Sequence, residues 1–190
     1  MTQPQASTLR LDANALKVLA HPLRSRLLRE LRVDGPATAT ALAATLGTNT
    51  GATSYHLRKL ASVGLVVETG AGRGRERWWQ AATEMHAWSE RDVAADPAGR
   101  AASDWLRRQY LRGFIERYES WLDEHADWPL EWQDVAGASD YMVHVSPARL
   151  AAFNDEFAAL VERYRRSVGD PDEESVQVHL HAFPLPDERP

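Results

Sequence analysis

The 190-residue chain contains no cysteine. That absence removes disulfides, thiolate metal sites and cysteine nucleophiles before any motif is read. Long apolar runs are missing too: no window approaches the roughly 18 consecutive apolar residues of a membrane-spanning helix. Residues 1–10 show no basic start followed by an apolar stretch, so neither export nor insertion is expected and the chain is placed in the cytoplasm. Lysine is reduced to Lys17 and Lys59, which together with the many alanines reflects coding composition and not function. Internal repeats, long low-complexity segments, phosphate loops and nucleophile motifs are all absent. Glu116, Glu119, Asp123 and Glu124 crowd one stretch, but at the spacing of a solvated helix face, and no acid–base pair emerges. Catalysis is not expected.

What is present is an ordinary hydrophobic share, 44%, enough to bury a core in one domain or two small ones. The net charge of -5 hides an asymmetry: residues 1–80 hold 11 Lys+Arg against 5 Asp+Glu, whereas the remainder holds 11 against 22. A basic front half joined to an acidic rear half suits a small nucleic-acid-binding module with an attached partner module.

Periodicity divides the chain further. Asp12 can cap a short helix carrying Leu16 and Leu19, and Pro22 opens a second with Leu23, Leu27, Leu28 and Leu31 on one face. Thr38–Leu46 reads as a third helix closed by Gly47, and a fourth runs from about Thr50 to Val63. In the fourth, Thr53 or Ala52, His56, Leu57 and Leu60 face inward and Thr50, Ser54, Tyr55 and Arg58 outward. Leu65–Thr69 and Glu76–Ala81 flank a glycine- and arginine-rich stretch, which reads as a hairpin with a basic tip. Asp96-Pro97 starts a long helix ending near His125, and Pro147 opens another reaching about Val168. Asp140–Ser146 and Ser175–Phe183 alternate in period two and are expected to pair as strands.

Ala43 followed four residues later by Gly47 puts a small residue where two helices touch and a glycine at the turn between them, as a helix-turn-helix requires. Three helices, a recognition helix with small polar outward residues and a basic hairpin complete that order of parts. Leu19-Ala20-His21-Pro22-Leu23-Arg24, the run Gly51-Ala52-Thr53-Ser54-Tyr55-His56-Leu57-Arg58-Lys59-Leu60 and Val63-Gly64-Leu65-Val66 resemble the arsenical-resistance-repressor-like (ArsR-like) family of winged helix-turn-helix regulators, over roughly residues 12–82. The resemblance implies a homodimer bound to an inverted repeat in double-stranded DNA, and a repressor. Small residues at the start of the fourth helix let its backbone approach the major groove. Thr50, Gly51, Ser54, Tyr55 and Arg58 are the candidate readers, joined by His56, which could equally be a packed helix residue. Arg73, Arg75 and Arg77 on the wing are candidates for phosphate or minor-groove contact.

Relatives that sense metals through cysteines do so on the third helix, where this chain has only Ala41-Leu42-Ala43-Ala44; thiolate sensing is excluded. Glu84, His86 and His125 lack convincing ligand spacing, and His144, His179 and His181 are weak metal candidates on the two expected strands, so neither a metal nor a cofactor is expected. All seven tryptophans fall after residue 77. Trp88, Trp105, Tyr110, Phe114, Tyr118 and Trp121 are therefore candidates for either a dimer interface or a pocket for a small apolar or aromatic effector. The expected fold is α+β, mainly α. Residues 1–11 form a flexible tail, 12–82 the winged helix-turn-helix domain, 83–183 a helical dimerisation and effector domain with a small antiparallel sheet, and 184–190 a second tail. The rival function is a winged-helix protein-interaction adaptor that reads no DNA.

Overall fold

Each helix of the first eighty residues begins at a side chain that accepts a backbone N–H of the first turn, as helix starts require. Asp12 Oδ1 accepts from Ala15 N at 2.7 Å ahead of α1 (Ala13–Leu19), and His21 Nδ1 from Leu23 N at 3.2 Å ahead of α2 (Pro22–Val33). Thr38 Oγ1 accepts from Ala41 N at 3.1 Å ahead of α3 (Ala39–Thr45), and Asn49 Oδ1 from Ala52 N at 2.8 Å ahead of α4 (Thr50–Ala61). The computed structural model describes residues 8–70, 77–165 and 173–185, and the chain divides into two units, Met1–Glu116 and Arg117–Pro190.

The turn between α3 and α4 is closed by two reversed bonds, Thr48 N to Ala43 O at 2.9 Å and Gly47 N to Ala44 O at 3.3 Å. That pairing needs the left-handed conformation at Gly47, whose φ is +62°. The end of α4 repeats the pattern, with Leu65 N bonded to Leu60 O at 3.1 Å and both leucines fully buried. One face of each helix supplies the core: Leu16 and Leu19, Leu27, Leu28 and Leu31, Leu42, and Leu57 and Leu60. Each fully buried leucine contributes about 1.5–3 kcal/mol relative to exposure.

A three-stranded sheet closes this core. The strands β2 (Ala37–Thr38), β3 (Val66–Thr69) and β4 (Trp78–Ala81) lie in the order β2-β4-β3, all antiparallel, with Thr69 opposite Trp78 as the last pair before the connecting loop. Trp79 is buried in the core on β4, the strand that packs on α2.

Two expectations are corrected in this unit. Residues 8–10, read from the sequence as flexible tail, form β1 (Thr8–Arg10), which pairs in parallel with β5 (Met85–Ala87), and Leu11 beside it is buried. The unit also does not stop at residue 82: α5 (Glu90–Val93) and the start of α6 (Pro97–Glu124) bury Val93, Ala102 and Leu106 in the same core. Gly99 lets α6 approach α1, since a Cβ there would stand 3.2 Å from Ala13 Cβ.

The second unit contains the end of α6, a 3-10 turn at His125–Asp127, α7 (Leu130–Val135) and α8 (Pro147–Arg165). The segments 140–146 and 175–183, expected to pair, form no strand among the described residues, so the antiparallel sheet of the chain lies in the first unit alone. Alternation only prepares one face of a strand, and a lone two-stranded ribbon is marginal in water. His179 and His181 nevertheless stack at 5.9 Å, as residues two apart do. Among the described residues no group of three or more His, Asp or Glu is placed to hold a metal, and no helix is long and apolar enough to cross a membrane.

Candidate nucleic-acid interface

Helix α4 presents two unlike faces. Thr53, Leu57 and Leu60 are buried, three or four residues apart, and pin the helix to the core. The opposite face carries Thr50, Gly51, Ser54, Tyr55 and Arg58, all exposed or half-exposed. The outward set is the one expected from the period, and the asymmetry follows from the caps and the buried stripe that fix the helix's rotation.

Facing that surface, Thr40 of α3 and Arg77 and Trp79 from the wing complete an open cleft of about 470 Å³, also lined by Thr50, Ser54 and Arg58. The hydroxyl and guanidinium groups among its lining residues are the chemistry that recognises phosphate and base edges. Arg77 is held at 2.9 Å by Glu68 across the hairpin, with both side chains largely in solvent. Arg73 and Arg75 lie outside the described residues. Thr40 was missed by sequence reasoning; the available signal was a polar residue in the first turn of an alanine-rich helix that precedes α4.

His56 is not on the outward face. Its ring lies 4.5 Å from His21 and 5.2 Å from Tyr55, and its Nδ1 sits 3.5 Å from Arg24 Nη1. Burial first, then the neighbouring His21 and Arg24 charges, lowers its pKa, which keeps the ring neutral against the guanidinium. Lys59 extends over the Tyr55 ring at 5.8 Å, adding a positive charge to the edge of the face.

The aromatic candidates fall into separate groups. Trp88 Nε1 donates to Ser103 Oγ at 2.8 Å, Ser103 Oγ donates to Glu90 Oε1 at 3.0 Å, and Trp105 packs against the core. Tyr110 stands 6.3 Å from the Trp88 ring and bonds His86, and Phe114 is half-buried. In the second unit Tyr118 and Trp121 stack at 5.6 Å.

Residues 19–69 match a helix-turn-helix domain family. Among solved structures, a possible transcriptional regulator for arsenical resistance is 31% identical, covering 51% of this chain and 83% of its own, with a TM-score of 0.33. The homodimeric winged helix-turn-helix DNA-binding domain of a possible ArsR-family transcriptional regulator from Mycobacterium bovis is 22% identical, covering 68% and 86%, with a TM-score of 0.36. ZitR of Lactococcus lactis in its apo form is 12% identical, covering 76% and 83%, with a TM-score of 0.34. No curated protein matches the chain. The chain belongs to the ArsR-like family of winged helix-turn-helix transcription regulators.

Proposed function

We propose that this regulator binds double-stranded DNA as a homodimer, at an inverted-repeat operator, and represses transcription in the cytoplasm. One observation supports the reading above the others: Thr50, Ser54, Arg58 and Arg77 converge on one open cleft, on the face of α4 that the core leaves free. A protein adaptor has no need of hydroxyls and arginines in that arrangement. Thr50, Gly51, Ser54, Tyr55 and Arg58 read the major groove, and Arg73, Arg75 and Arg77 take the flanking phosphates. The dimer brings two α4 helices to half-sites about one DNA turn apart, and exposed apolar residues on α6, Leu111, Ile115 and Leu122, are available to hold it. A dimer seated on a promoter blocks access by occupancy alone, which is why repression is the sign proposed.

A second reading adds release by a small apolar or aromatic molecule. It is favoured by the Trp88–Tyr110 ring contact beside Arg32, a residue of α2, so that an occupant there would act on a helix that packs on α4.

The test is a salt titration of binding to the protein's own upstream DNA against scrambled DNA of equal length, with the R73A/R75A variant alongside. Tighter binding to the upstream DNA, with a steep salt slope that the variant reduces by about one unit per lost phosphate contact, is the expected result. Equal binding to both DNAs, together with a genome-wide site selection that enriches nothing, would replace this reading with the adaptor.

A further inference from the structure

Arg32 carries a charge that no carboxylate among the described residues meets. It sits in the last turn of α2, yet its guanidinium reaches away from the carbonyls that end that helix: Nε donates to Thr83 O at 3.1 Å and Nη1 to His86 Nδ1 at 2.7 Å. Nη2 is closed off from solvent and has no hydrogen-bond partner among the described residues. His86 and Tyr110 supply no negative charge, since burial holds their pKa values at about 4 and about 12. Glu90, beside Trp88, is engaged already, by Ser103 Oγ at 3.0 Å and Arg107 Nη2 at 2.6 Å. A buried guanidinium N–H left without an acceptor is costly.

The same bridge leaves a second donor over. Because His86 Nδ1 accepts from Arg32, Nε2 carries the ring proton and donates to the Tyr110 oxygen at 2.8 Å. The O–H of Tyr110 then has no acceptor among the described residues. Two unused donors, one of them charged, call for an anion, and a carboxylate is the group that a guanidinium matches best.

Three rings stand beside these donors. His86 stacks on Trp88 at 6.1 Å, and Tyr110 lies 5.9 Å from His86 and 6.3 Å from Trp88. Tyr110 is 38% exposed and forms the solvent side of the group. A flat apolar body gains ring contact here that a bare inorganic anion cannot use. One negative charge balances Arg32; the neighbouring Arg107 is already paired with Glu90.

We propose that Arg32, Trp88 and Tyr110 bind an aromatic monocarboxylate, its carboxylate on the Arg32 N–H and Tyr110 O–H and its ring against Trp88. The inference rests on the effector reading above and names the chemical class of the effector. The ligand enters by displacing the Tyr110 side chain. Arg32 belongs to α2, which packs on α4, so occupancy acts on the helix that lines the cleft.

The test is calorimetric titration of the full-length protein, without DNA and in carboxylate-free buffer at pH 7, with benzoate and phenylacetate and with the neutral benzyl alcohol and benzamide. The expected result is saturable binding of at least one acid, about tenfold or more tighter than its neutral counterpart. R32M abolishes that binding, and Y110F, which keeps the ring and removes only the donor, weakens it several-fold. Circular dichroism confirms that both variants are folded, and should R32M unfold, Y110F and the acid-to-neutral ratio of the wild type still decide. Absence of saturable binding by either acid overturns the proposal, as does binding that Y110F leaves unchanged. Equal binding of acid and neutral compound also overturns it, while leaving an apolar effector in place. The effector reading itself is judged separately, by release of bound DNA with the neutral compounds.

Discussion

Arg32 Nη1 lies 2.7 Å from His86 Nδ1. A guanidinium only donates, so Nδ1 accepts and the ring proton is assigned to Nε2, which is 2.8 Å from the Tyr110 hydroxyl. The imidazole thus bridges the end of α2 to the middle of α6. Burial first, then the adjacent Arg32 charge, lowers the His86 pKa to about 4, and burial pushes that of Tyr110 up to about 12. Both groups are held neutral beside the partly buried Arg32 guanidinium.

Acid should therefore weaken the first unit through His86. The unfolded histidine takes a proton near its ordinary value of 6.5, the folded one only near 4, so the unfolded state binds more protons between those values. The contribution of the neutral ring is complete above pH 6.5 and lost as pH falls toward 4. Urea unfolding of the wild type and H86Q at pH 7 and pH 4.5 checks this. Glutamine retains one donor and one acceptor but does not titrate, so the fall between the two pH values is expected to be smaller in the variant; an equal fall would assign the proton uptake elsewhere.

On the proposed function, Glu68 and a DNA phosphate compete for Arg77. Their 2.9 Å pair is exposed, with side-chain accessibilities of 63% and 46%, and such pairs add little to stability. E68Q should leave thermal unfolding unchanged while tightening operator binding. R77A should weaken binding and lower the salt slope by about one. A stability loss in E68Q with no change in DNA affinity would mark the pair as structural.

Thr53 is fully buried on α4, and its hydroxyl has no hydrogen-bond partner. Replacing that hydroxyl by a methyl group of nearly equal size removes an unmet polar group, so T53V should raise stability by about 1 kcal/mol. Because residue 53 faces away from the cleft, DNA affinity should stay constant. Chemical denaturation and a binding isotherm on the same preparation test both halves.

Gly47 holds a φ of +62° between α3 and α4. Nothing lies within 4 Å of a Cβ built there, so the cost of G47A is conformational and not steric crowding. A loss of about 1 kcal/mol is expected. Since this turn sets the angle of the recognition helix, operator affinity should fall more than non-specific binding does. A loss of stability without a change in that ratio would separate the turn from recognition.

The reading of the sequence succeeded where the physics is local. Asp12, Pro22, Thr38, Asn49 and Gly47 act within one helical turn, so the helix limits of the first unit could be read from composition and spacing. The outward face of α4 followed from the period of Thr53, Leu57 and Leu60. His56 illustrates the limit: its place on the helix was legible, but its engagement with His21 and Arg24 was not. The segments 140–146 and 175–183 failed for a related reason, because their alternation describes one side of a ribbon and says nothing of a backbone beside it.

By itself the sequence determined where the four helices between residues 12 and 63 begin and end, which side of each is apolar, and that a basic hairpin follows a helix-turn-helix, while the short helices Glu90–Val93 and Leu130–Val135 escaped it. Only the tertiary structure decided that Thr8–Arg10 lies parallel to Met85–Ala87, that α6 shares the first unit's core, and that Arg32, His86 and Tyr110 meet. Caps, turns and periodic faces are set by residues within a few positions of one another, whereas a parallel strand or a polar side-chain bridge joins distant groups whose partners no local pattern specifies.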